Sequence, residues 1–266
     1  MADQPAAFAG SIPEFYERHL RHAFFEPYAR DLAARLDPGA GPFLELACGT
    51  GVLTREIVAR LSGMGSLVAT DLNPPMLAEA QKRVAADPRL SWRQADMTAL
   101  PFPDAAFGTV LCQFGMMFPP DKAAIYREVR RVLRPGGRLL FNTWASLEEN
   151  PMNQPVNEAL RAFFPDDPPA FLTVPFGFHD PALIRGLLEK TGFKAIEITP
   201  LAFECRSESA KGFATGFVRG TPLANDLLAR GADLAEVEAA VAMGLAELGG
   251  DTPFSCPMKA IVVEAV

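Results

Sequence analysis

Through the first 145 residues, short apolar runs alternate with amphipathic stretches of helical period. "PFLELA" (42–47) predicts a buried strand, and "GVLTREIVARL" (51–61) a helix closed by Gly63. "SLVATDL" (66–72) predicts a second strand, and "PPMLAEAQKRVAA" a helix with proline in its first turn. "LSWRQADM" (90–97) and "FGTVLCQFG" (107–115) read as strands three and four. "DKAAIYREVRRVL" (121–133) reads as a helix stopped by "RPGG", with "RLLFNTW" (138–144) as a fifth strand. Strands alternating with helices of this length imply a parallel sheet covered on both faces, its connections right-handed crossovers.

The flanks follow another pattern. Residues 12–36 predict two short helices ahead of the sheet. Pro151, Pro155, Pro165, Pro168, Pro169, Pro175 and Pro181 crowd residues 150–181, which predicts an irregular insertion. A helix ("PALIRGLLEKTGF"), a strand ("KAIEITPLAFEC"), two helical stretches near 208–218 and 233–247, and a last strand ("FSCPMKAIVVEAV") complete the chain.

Composition narrows the function classes. The 266 residues are 49% hydrophobic and 21% charged, as in a globular α/β protein. A net charge of −7 provides no basic field for nucleic acid, and clusters such as "REVRRVLRPGGR" fall on a helical face. No run reaches the ~18 apolar residues of a membrane span, and "MADQPAAFAGSIPEF" lacks the pattern of a secretory signal. Cys48, Cys112, Cys205 and Cys256 lie far apart, which indicates reduced thiols, no zinc site and a cytoplasmic location.

The candidate chemistry sits at "FLELACGTGVLTRE". Gly49 and Gly51 permit a tight turn after the first strand, where doubly wound sheets bind ligands. The third glycine of a dinucleotide fingerprint is missing near Leu53 and Thr54, so the spacing A-x-G-x-G disfavours a pyrophosphate. Asp71 lies 22 residues beyond Gly49 at the end of strand two, placed for a ribose diol. Asp96 follows strand three and could accept from an adenine amino group, with the backbone near Met97 against the ring. With no lysine or arginine in "ELACGTG", these features describe an adenosine without phosphate.

"LELACGTG", "ATDLNPPML", "QADMTALPFPDAAFGTVLCQFGMMF" and "VLRPGGRLLF" together resemble the ordered motifs of class I S-adenosylmethionine-dependent methyltransferases, in particular the ubiquinone/menaquinone-biosynthesis group. The resemblance covers roughly residues 40–145. It implies a doubly wound, Rossmann-like seven-stranded α/β sheet with a reversed C-terminal strand. The expected single domain has an N-terminal helical cap (1–39), a cofactor core (40–145), a helical lid with the sixth strand (146–252) and the final strand (253–266). It further implies that Glu45 and the Ala47, Cys48, Gly49 and Gly51 loop meet the methionine end of S-adenosylmethionine. Asp71 would hold the ribose, Leu72 and Met76 the adenine face, Asp96 and Met97 the adenine edge, and Gln113 the sulfonium side. Ala47 stands where glycine is frequent, and Tyr16 resembles a tyrosine that closes over the methionine carboxylate.

The expected partner is a small methyl acceptor, in a monomer or homodimer. Phe163, Phe164, Phe171, Phe176, Phe178, Phe213 and Phe217 suggest an apolar one, whereas Phe24, Phe25 and Tyr28 read as core. No catalytic residue is identified; His19, His22 and His179 read as surface histidines rather than as a base or a metal site. Two rival readings are an NAD-dependent oxidoreductase and a non-catalytic S-adenosylmethionine-binding sensor or scaffold.

Overall fold

A computed structural model describes residue 8 and residues 10–63 and 65–266. Seven strands form one sheet: β1 (Phe43–Leu46), β2 (Leu67–Asp71), β3 (Leu90–Gln94), β4 (Phe107–Gln113), β5 (Leu133–Trp144), β6 (Glu197–Ser207) and β7 (Phe254–Ala265). Their order is β3-β2-β1-β4-β5-β7-β6. β1 pairs in parallel with β2 and β4, while β7 runs antiparallel to both β5 and β6. This is the Rossmann-like sheet with a reversed last strand that the family resemblance implies. All four residues of β1 are buried, as a strand covered on both faces requires.

Helices α1 (Ile12–Phe15) and α2 (Glu26–Ala34) precede the sheet, and α3 (Val52–Val58), α4 (Pro74–Arg83) and α5 (Lys122–Val132) make its crossovers. Helices α6 (Asn153–Phe163), α7 (Pro181–Lys190), α8 (Ala210–Arg219), α9 (Leu223–Ala229) and α10 (Leu234–Gly249) fill the second half. Caps follow the local chemistry. The side chains of Asp121, Asp180, Ser209 and Asp233 each accept a first-turn amide, at 2.8–2.9 Å.

Four expectations need correction. The N-terminal segment is not two short helices; α1 runs through a wide-turned π segment (Tyr16–Phe25) directly into α2. Pro27, which has no amide hydrogen and would clash with the carbonyl four residues back, follows that segment at once, and widening the turn relieves the clash. The proline-rich insertion contains the regular helix α6, because Pro155 falls in its first turn, where no amide bond is lost. Strand β5 begins at Leu133, with its register against β4 shifting between Phe107 and Thr109 to absorb "RPGG". The helix α9 has no counterpart in the sequence-based expectation.

Candidate functional site

A cavity opens at the carboxyl ends of β1, β2 and β4, beside the point where the strand order reverses. It encloses about 1170 Å³, its open mouth included. One end is polar, around Gly49, Thr70, Asp71, Asn73, Asp96 and Gln113. The other is aromatic, around Phe24, Phe25, Phe114, Trp144, Phe171, Phe176 and Phe217.

The loop after β1 is built from left-handed residues: Ala47 at φ +50°, Gly49 at +57° and Gly51 at +82°. A Cβ at Gly49 would meet nothing within 4 Å, so this backbone faces open space. A Cβ at Gly51 would instead stand 2.6 Å from Val84 Cγ2. Gly51 therefore serves the packing of loop against α4 and does not line the cavity. Cys48 does not line it either; the residue is buried against Ala69 and Leu77, and burial raises its thiol pKa.

Asp71 is 5% exposed, and each of its oxygens accepts a backbone amide. Oδ2 accepts the Gly49 amide at 2.9 Å, and Oδ1 accepts the Asn73 amide at 2.8 Å. Burial raises its pKa, and those amide bonds work against the rise. The helix cap is Asn73, which leaves Asp71 on the cavity wall between Gly49 and Leu72. Asp96 Oδ1 turns back to Thr98, accepting from its amide at 2.8 Å and its hydroxyl at 2.7 Å. It is at once a turn residue and a cavity residue, alongside Met76 and Met97.

Glu45 differs from its expected role. Its side chain is 1% exposed, lies outside the cavity lining and accepts the Thr54 hydroxyl at 2.6 Å. Burial raises its pKa to about 8.

The N-terminal helical run covers the cavity. Tyr16 lines it, stacked on Phe25 at 4.6 Å, with its pKa raised by burial and by the Glu17 and Asp71 carboxylates. Gln113 also lines it and donates from Nε2 to the Phe25 carbonyl at 2.8 Å, tying β4 to the π segment. Phe24 and Phe25 thus belong to the cavity wall and not to plain core; Tyr28, at 0% exposure, is core as expected.

The aromatic end is centred on Trp144, whose ring stacks on Phe114 at 3.8 Å and on Phe24 at 4.3 Å. Phe114 adopts φ +51°, costly for a bulky side chain, and Asn142 holds it there by accepting its amide at 3.0 Å through Oδ1. Two non-glycine residues of one cavity, Ala47 and Phe114, are therefore held in left-handed backbone. Of the seven phenylalanines expected over the site, Phe171, Phe176 and Phe217 line it. Phe178 and Phe213 are buried elsewhere, and Phe163 and Phe164 lie outside the lining. His19, His22 and His179 also lie outside it; His179 Nδ1 sits 2.7 Å from the Phe176 carbonyl.

The sequence reading passed over Glu17, Phe114, Trp144 and Thr221. Trp144, last residue of the fifth strand, and Phe114, directly after the fourth, carry the available signal, since cavities of this fold open at strand ends. Glu17 and Thr221 depend on contacts between distant segments.

Residues 43–137 match a methyltransferase domain family. The demethylmenaquinone methyltransferase of Lactobacillus johnsonii is 30% identical over 182 residues, covering 63% of this chain and 74% of that protein. The ubiquinone/menaquinone biosynthesis C-methyltransferase of Cronobacter sakazakii is 35% identical over 123 residues, 45% of this chain; the match spans about half of that relative, 47% of its length. Among solved structures, phosphoethanolamine N-methyltransferase 2 of Haemonchus contortus, in complex with S-adenosyl-L-methionine, superposes with a TM-score of 0.62 at 16% identity. That match covers 96% of this chain and 56% of the other. YcgJ of Bacillus subtilis gives a TM-score of 0.58 at 18% identity, over 90% and 97% of the two chains. At these identities the structures speak for the fold alone.

Proposed function

Because the chain belongs to the class I S-adenosylmethionine-dependent methyltransferases, we propose that it methylates a small, largely apolar acceptor bound against Trp144. The observation that supports this reading is the division of one cavity into a polar and an aromatic end. The polar end fits the cofactor. Asp71 retains acceptor capacity for two ribose hydroxyls, and the Ala47–Gly49 backbone leaves the open space that a methionine moiety needs. Asp96 and Met97 would meet the adenine edge, with Leu72 and Met76 against its face and Tyr16 above.

S-adenosylmethionine supplies a methyl group already activated on a sulfonium, so the chain needs no nucleophile. Its residues position and desolvate. Gln113, its amide nitrogen committed to Phe25, would turn its carbonyl oxygen to the sulfonium side. Trp144, Phe114, Phe176 and Phe217 would hold a flat apolar acceptor in line and exclude water, the arrangement by which positioning lowers a barrier by up to ~7–11 kcal/mol in favourable models. Among the described lining residues the ionisable side chains are Tyr16, Asp71 and Asp96, and no lysine or arginine is present to bind an anionic acceptor. Ring carbon is the first acceptor atom to test, since the named relatives include a C-methyltransferase and one acting on demethylmenaquinone.

The test is incubation with methyl-labelled S-adenosylmethionine and a panel of apolar aromatic acceptors, amines and phenols. Label in an aromatic product is expected. Label confined to charged, polar acceptors would overturn the acceptor reading, and failure to bind S-adenosylhomocysteine would overturn the cofactor reading.

A further inference from the structure

Glu17 is a buried carboxylate that the proposed chemistry does not use. It is 5% exposed, one residue after Tyr16 on the π segment. It accepts the hydroxyl of Thr50 at 2.7 Å, and Arg55 and Arg21 each approach its Oε1 to 3.3 Å. Thr50 is fully buried and stands between Gly49 and Gly51, the two left-handed glycines of the loop.

Burying a carboxylate is expensive, and buried ion pairs bring little net stability, so an apolar residue would serve packing better at this position. What the carboxylate provides is a directional contact across 33 residues, from cap to loop. A loop built on two left-handed glycines is conformationally soft, because glycine has the widest choice of backbone states. Tethering its middle residue selects one of them. The same tether fixes the helical turn that carries Tyr16 over the cavity.

We propose that Glu17 is a positioning residue for the cofactor: through Thr50 it sets the shape of the glycine loop, and through its place on the helix it sets the Tyr16 ring. The inference rests on the reading of the cavity as an S-adenosylmethionine site. Glu17 does not line the cavity and acts entirely through its neighbours.

Calorimetry with S-adenosylhomocysteine on the full chain tests it, with melting temperature measured alongside. Glu17→Ala should weaken binding about tenfold, the scale of one charge-assisted hydrogen bond. Glu17→Gln should restore most of the affinity, since its amide oxygen still accepts from Thr50. Thr50→Val should weaken binding as Glu17→Ala does, and the double variant no further, because both remove the same link. Glu14→Ala, one turn away on the exposed face, should bind as the wild type does. If Glu17→Ala does not fold, Glu17→Gln, Thr50→Val and their combination carry the comparison. Variants that melt lower but bind within about twofold of wild type, or losses that simply add, would overturn the proposal and leave the cofactor reading standing. A wild-type protein that does not bind S-adenosylhomocysteine would overturn that reading and this inference with it.

Discussion

The methyl group of Ala47 occupies space left by Gly115: a Cβ on Gly115 would stand 2.5 Å from it and 2.7 Å from Cys112 Sγ. Ala47 is held at φ +50°, a backbone state that suits glycine better than alanine. The glycine lies on the partner strand's loop, where it makes room for a side chain at a position that favours none. Gly115→Ala should therefore destabilise the protein and weaken S-adenosylhomocysteine binding. Ala47→Gly in the same chain should recover part of both losses, the Cys112 contact remaining. Melting curves and calorimetry on the two singles and the double give the coupling, and purely additive effects would contradict the pairing.

The two glycines of the loop should fail differently. Gly49→Ala puts a methyl into open space at φ +57°, so it should cost roughly 1–2 kcal/mol of backbone strain and act mainly on ligand binding. Gly51→Ala adds a 2.6 Å clash with Val84 and should lower the melting temperature much further. Equal melting temperatures for the two variants would contradict this division.

Asp71 should control both affinity and its pH dependence. Removing the carboxylate with Asp71→Ala should delete the two ribose contacts proposed for it, each worth ~1.5–3 kcal/mol as a bond to a charged acceptor. Burial raises the Asp71 pKa, so protonation begins at a higher pH than in an exposed aspartate. Affinity for S-adenosylhomocysteine should therefore fall as pH is lowered, and Asp71→Asn should bind weakly at every pH without that dependence. Titration calorimetry across pH reads both effects.

Glu45 should act on stability rather than on binding. Its pKa rises from 4.5 unfolded to about 8 folded, so the folded state keeps a proton that the unfolded chain releases. Its stabilising contribution is full below about pH 4.5 and is lost as pH rises through about 8. Glu45→Gln, a permanent mimic of the protonated acid, should flatten the decline of melting temperature over that range. It should leave affinity for S-adenosylhomocysteine near wild type.

Amide exchange should divide the segment 150–181. Met152, Val156 and Leu160 bury the apolar face of the α6 region, so its amides should exchange slowly even without ligand. Residues 165–175 hold little regular structure, with Phe171 and Pro175 on the cavity wall. They should exchange fast alone and slow when S-adenosylhomocysteine and an apolar acceptor analogue are both bound. Uniform slow exchange in the free protein would mean a fixed wall.

What could be read from the chain was what it encodes locally. The apolar run at β1, the glycines after it and the aspartate closing β2 follow from short-range pattern, whereas the reversed last strand is implied by the family resemblance and not by any local pattern. The π segment escaped because its wide turns break the helical period just where Pro27 forces them. Helix α6 was hidden because proline density counts against a helix unless the first turn is known to hold it. The family resemblance puts Glu45 at the ligand, and nothing in the loop sequence reveals that Thr54 donates to it. Glu17 and Phe24 owe their places to a cap that folds over from outside the sheet, which no local pattern records.

That cap reaches both ends of the cavity, with Tyr16 at the polar end and Phe24 and Phe25 at the aromatic end. One helical run shared by two sets of lining residues lets the occupancy of one bear on the other. If seating a ligand beneath Tyr16 sets the position of Phe24 and Phe25, the methyl donor is expected to enter first and its thioether product to depart last. In steady-state kinetics, S-adenosylhomocysteine should then inhibit competitively toward the donor and noncompetitively toward the acceptor.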